Sequence, residues 1–143
     1  MQNILSNIII SVNDKLYVKN PETSDLGKKI IEQSILLIDE IGFENFTFKK
    51  LGEKISSNES SIYRYFESKH KLMLYLSSWY WGWIEYKLVF ATSNVINPME
   101  KLKKAIAIVT EKVNDDTATA HINEAVLNKI IIQEFTKTLL TKE

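Results

Sequence analysis

The sequence predicts an all-α protein. Three observations carry that expectation. Apolar residues recur every three or four positions along most of the 143-residue chain, residues suited to capping helix starts stand before these runs, and only a short stretch near the start alternates as a strand would. The length suits one domain or a small module joined to part of a second, and 45% hydrophobic with 25% charged residues is the balance of an ordinary folded protein.

The elements follow in order. Residues 4 to 18 alternate weakly, with Ile8, Ile10, Val12, Leu16 and Val18 around Asn13 and Asp14, a pattern for a small hairpin or an extended arm. Pro21 breaks it. Ser24 is the expected N-cap of a first helix, with Asp25 in its first turn. Apolar or small residues at 30, 34, 37 and 41 and at 31, 35 and 38 then give a wide helical stripe that Gly42 closes. Thr47 caps a second helix of about two turns whose inward residues are Phe48, Leu51 and Ile55. "SSN" at 56 to 58 is a turn, and Asn58 caps a third helix of roughly two turns running through Phe66. Within it Ile62, Tyr65 and Phe66 share a face, Ser60, Ser61 and Arg64 point elsewhere, and Tyr63 stands at the border.

Ser68 caps a much longer fourth helix with Leu72, Leu76, Trp79, Trp83, Tyr86 and Phe90 on one side and Leu74, Trp81 and Leu88 on the other. Two apolar faces predict packing on both, in the middle of a helical body. Asn97 and Pro98 start a fifth helix with an inner face of Leu102, Ile106, Val109 and Val113. "NDDTATAH" reads as a loop or a poor short helix, and Ile122, Val126, Leu127, Ile130, Ile131, Phe135 and Leu139 carry a last one.

Charge and composition narrow the function. The chain has no cysteine, so it has neither a disulfide framework nor a thiolate, which fits a reducing cytoplasm. The apolar start "MQNILSNIIISVN" lacks a cationic leader and is too short for a secretory signal or a membrane span, so a cytoplasmic location without membrane attachment is expected. Lys plus Arg balances Asp plus Glu at 18 each, yet the charge is unevenly spread. From Thr47 to Lys71, Lys49, Lys50, Lys54, Arg64, Lys69 and Lys71 face three anions, Glu53, Glu59 and Glu67, a local +3. Residues 24 to 46 carry a local −3. His70 and His121 have no second ligand at helical spacing, and there is no nucleophile signature or Gly-rich phosphate loop. Neither an enzyme, a metal site nor a cofactor is expected.

Residues 47 to 66, two short helices around a tight turn, fit a helix-turn-helix. A recognition helix buries one face on its own bundle and offers small, hydrogen-bonding and cationic side chains to the duplex, which residues 58 to 69 supply. With "GFENFTFKKLGEKI" followed by "SSIYRYFESKHKLM", the chain resembles the TetR/AcrR family of bacterial transcriptional regulators. The matching positions are glycine, phenylalanine and threonine after the first helix, the Tyr-x-Tyr-Phe core, and the lysine three residues on. The flanking "LYVKNPETSDLG" and "LYLSSWYWGW" look like a subgroup found in Bacteroidetes.

The resemblance implies an arm over residues 1–23, a DNA-binding domain over 24–67 and a helical ligand-binding and dimerisation domain over 68–143. It implies backbone contacts from Thr47 and Lys49, major-groove contacts from Glu59, Ser60, Ser61 and Arg64, phosphate contacts from Tyr63 and Tyr65, and a further backbone contact from Lys69. It implies a homodimer on a near-palindromic operator in double-stranded DNA, released by a small-molecule effector, with Trp83, Tyr86 and Phe90 as the pocket candidates. Family members commonly continue with two further helices that form the dimer interface, so the last domain is expected to be incomplete. Two departures stand out: Ile55 and Ser56 replace the usual alanine and glycine of the turn, and Glu59 takes a position more often cationic or neutral. The neutral total charge and Glu59 support the rival reading, a helical ligand-binding or interaction module that no longer binds DNA.

Overall fold

The computed structural model describes residues 10–110 and 121–140. Among these the chain is all-α, with six helices and no strand: α1 (Asp25–Ile41), α2 (Phe48–Ile55), α3 (Glu59–Tyr63), α4 (Lys69–Thr92), α5 (Pro98–Thr110) and α6 (Glu124–Leu140). Sequence positions 1–9, 111–120 and 141–143, which include Ile8, Val113 and most of "NDDTATAH", lie outside the described residues, as do the side chains of Phe135 and Leu139.

The capping side chains do what their chemistry predicts. Ser24, Thr47, Asn58 and Ser68 each accept a hydrogen bond from the backbone N–H three residues on, satisfying a donor that the helix start would leave orphaned. Asn97 does the same for α5, with Pro98 at the first helical position. Gly42, at φ 81°, ends α1 and returns its N–H to the Ile38 carbonyl.

One core runs through the first four helices. Ile30, Ile31, Ile35 and Ile38 of α1 meet Phe46 of the loop before α2 and Leu51, Ile55, Ile62 and Phe66 of the helix-turn-helix, and Leu72, Tyr75 and Leu76 of α4 close the far side. Burial, with smaller contributions from Glu22 and Tyr17, pushes the Tyr75 phenol well above its ordinary titration range, so it stays neutral. From α6, Leu127, Ile130 and Ile131 are buried as well. That helix packs on α1, where Lys129 pairs with Asp39 at 3.1 Å, and on α4, where Asn128 donates to the Tyr80 hydroxyl.

Three expectations give way. The small hairpin is absent: the described part of residues 4 to 18 runs as an irregular arm, a strap with one 3₁₀ turn, Asp14–Leu16, which Asn13 caps by accepting from the Lys15 N–H. The second apolar stripe of α4 packs only at Leu88, which is partly buried against the core, whereas Leu74 and Trp81 remain 51% and 49% exposed. The buried arc instead widens through Tyr75, Tyr80 and Ile84, since the strap and α6 reach α4 at those positions. Likewise Leu102, Ile106 and Val109 of α5 are more than half exposed, while the half-buried residues are Ala105 and Ile108, on a different face of the helix.

The turn between α2 and α3 concentrates backbone constraint. Ser56 occupies the left-handed region (φ 56°, ψ 43°), the described non-glycine residue with positive φ. It does so because Ser57 must turn its N–H back to the Gly52 carbonyl at 2.9 Å, and a β-carbon on Gly52 would come within 2.7 Å of the Ser57 carbonyl oxygen. The left-handed conformation costs a non-glycine residue about 1–2 kcal/mol, against about 0.4–1 kcal/mol of unfolded-chain entropy that glycine would add. Ser56→Gly is therefore expected to stabilise the protein by about 0.5–1 kcal/mol, read as a higher denaturant midpoint at unchanged slope.

Candidate nucleic-acid interface

The third helix is short, five residues, and the chain continues from it as a turn. Regular α-helix stops at Tyr63, one residue pattern short of the expected two turns. Arg64, Tyr65 and Phe66 continue as a hydrogen-bonded turn through Arg64 N–H to Ser60, and Tyr65 and Phe66 N–H to Ile62. The sidedness is as the spacing implies. Ile62, Tyr65 and Phe66 are buried, whereas Glu59, Ser60 and Arg64 are exposed and Ser61 is half-buried, its hydroxyl donating to the Asn58 cap.

Tyr63 divides its surface. Its ring meets the Phe48 ring edge-on at 4.9 Å while 49% of the residue stays exposed, so the packed ring fixes the direction of the hydroxyl. Thr47 and Lys49 are exposed at the start of α2, beside Lys50, whose ammonium donates to the Asn45 carbonyl at 2.9 Å. Thr47, Lys49, Glu59, Ser60, Tyr63 and Arg64 thus stand on the outer surface of one small unit whose inner surface is mostly apolar.

Tyr65 and Lys69 are placed differently. Tyr65 is 3% exposed, and its hydroxyl shares a 2.6 Å hydrogen bond with that of Ser24, the residue capping α1. The Lys69 ammonium donates to the carbonyls of Phe43, Glu44 and Phe46 at 2.9, 3.2 and 3.1 Å and lies 4.6 Å from the centroid of the Phe43 ring. An ammonium has three N–H donors, and all three are used inside the protein. A lysine at the first position of a helix also opposes the helix dipole, which was the one sequence signal that this side chain has a local partner. The partners themselves lie 23 to 26 residues away and carry no side-chain signature.

Of the aromatic residues in the long helix, Trp83 is buried, its indole stacked on Trp79 at 6.2 Å with the Lys87 ammonium 4.4 Å above the ring. Tyr86 is exposed on the surface. Phe90 lines a cleft of about 490 Å³ between the end of α4 and α5, together with Ala91, Asn94, Val95, Lys104, Ala107 and Ile108. Phe90 is therefore brought to a cavity, and Trp83 and Tyr86 are not among its lining. Among the described residues no group of three or more His, Asp or Glu side chains could hold a metal ion, and no helix is long and apolar enough to cross a membrane. His121 bonds instead to Glu22 at 2.8 Å, tying the start of α6 to the strap.

Removing the Lys69 ammonium leaves three carbonyls without their charged donor, at a cost typical of hydrogen bonds to ionised groups. Lys69→Met is expected to lower unfolding free energy by about 2 kcal/mol in a urea titration. A change below a few tenths would mean that the three bonds contribute nothing.

Residues 30–76 match the family model for bacterial regulatory proteins of the tetR family. No curated protein and no solved structure matches the chain. The matched segment spans most of α1, the whole helix-turn-helix and the start of α4, the unit whose core and outer surface are described above. Through that unit the chain is similar to the bacterial regulatory proteins of the tetR family.

Proposed function

We propose that the protein is a ligand-responsive transcriptional repressor that binds a palindromic operator as a homodimer, with residues 24–67 as the DNA-binding domain and 68–143 as the effector and dimerisation domain. The observation that carries the reading is the sidedness of α3: serines, a tyrosine hydroxyl and a guanidinium are presented outward by a turn whose other side is locked in the core. That is what insertion into a major groove requires.

Within this reading Arg64 is the base-reading cation, with Ser60, Ser61 and Glu59 beside it in the groove. Thr47, Lys49 and Tyr63 take phosphates. Tyr65 and Lys69 act as positioning residues, because their polar atoms already hold the helix-turn-helix to α1 and to the loop before α2. The cleft reached by Phe90 is the effector site in this reading. Release of DNA then needs an effector with different affinity for the DNA-bound and free arrangements of the two recognition helices. Such a repressor works in the cytoplasm.

Glu59 supports the second reading, a module that no longer binds DNA. It is exposed in the first turn of α3, where its carboxylate faces any approaching phosphate. Fluorescence anisotropy against duplex DNA from upstream of its own reading frame separates the two. Arg64→Ala is expected to lose about 1–3 kcal/mol of preference for the upstream duplex over a scrambled one, the worth of a bidentate guanine contact. Wild-type binding that is absent, or indifferent to salt, would favour the module.

A further inference from the structure

We propose that Lys19, on the strap before α1, is a DNA-backbone contact that extends the interface beyond the helix-turn-helix to phosphates flanking the groove; this rests on the DNA-binding reading above. The lysine is exposed, yet its backbone is not free to wander. The residue before it, Val18, donates its N–H to the Tyr65 carbonyl at 2.8 Å, and Tyr17 packs edge-on against Tyr75 with ring centroids 6.0 Å apart. The residue after it, Asn20, caps the 3₁₀ turn Pro21–Thr23. That turn sits so close to α1 that a β-carbon on Gly27 would clash with the Pro21 carbonyl oxygen. Lys19 is thus held between two anchors.

Those anchors place it beside the recognition turn. Its ammonium lies 5.2 Å from the centroid of the Tyr65 ring, and Tyr65 follows Arg64 directly in the chain. Among the described residues Lys19 has no carboxylate within ion-pair distance. The nearest acidic residue along the strap toward α1, Glu22, is engaged by His121. An exposed ammonium, fixed in position, unpaired and beside the turn that presents Arg64 is what a phosphate backbone attracts. An aromatic face beneath it limits its motion without using its N–H donors.

A phosphate contact carries no base information, which makes the test specific. Anisotropy titrations of the full chain across a salt series would use two duplexes, the upstream DNA and a scrambled sequence of equal composition. Lys19→Gln is expected to make the slope of log affinity against log salt shallower by about 0.9 and to weaken binding by the same factor on both duplexes. Lys19→Arg, which keeps the charge, should restore the wild-type slope. Thermal unfolding of both variants checks that the strap still docks. If wild type binds with salt dependence but Lys19→Gln keeps its slope, or if Lys19→Arg loses as much as Lys19→Gln, the contact is refuted while the DNA-binding reading stands. If wild type binds neither duplex, both fall together.

Discussion

A helix of five residues cannot hold itself together in water, because nucleating the first turn fixes more dihedral angles than its hydrogen bonds repay. The outward serines and the guanidinium of α3 therefore have a defined geometry only because Ile62, Tyr65 and Phe66 are driven into the core beneath them. The remaining elements serve that constraint. The isoleucines of α1 form the floor, Phe48 and Leu51 of α2 the side wall, and Leu72, Tyr75 and Leu76 of α4 the far wall. Tyr65 does two jobs there, filling space with its ring and, through Ser24, fixing where α1 begins.

The ends of helices and the cores of short ones were readable in advance because both are local. A cap acts within three residues, so Ser24, Thr47, Asn58, Ser68 and Asn97 announce themselves, and the inward faces of α1 and α2 follow from spacing alone. Which side of α4 and α5 is inward is not local. It depends on where the strap and α6 arrive, and apolar stripes such as Leu74 and Trp81 or Leu102 and Ile106 look identical whether or not a neighbour comes. At the candidate site the exposed set from Thr47 to Arg64 was legible for the same reason as the caps. The partners of Tyr65 and Lys69 were not, since a hydroxyl 41 residues away and three backbone carbonyls leave no pattern to find.

The strap shows how a segment without regular structure becomes part of the fold. Between Ile10, which lies against Gly82 of α4, and Pro21, which lies against Gly27 of α1, it touches α4, the turn that follows α3, and α1, and through Glu22 it reaches His121. Its backbone donors find partners in turns of its own and in the Tyr65 carbonyl, so it needs no sheet to be satisfied.

The three tryptophans of the chain all fall within five residues of α4, but the helix divides them: Trp79 and Trp83 lie stacked in the interior and Trp81 faces water. The long helix consequently carries its own optical reporter. An aqueous quencher meets one indole and not the other two, and any movement that slides α4 past its neighbours changes the blue-shifted part of the emission without labelling the protein.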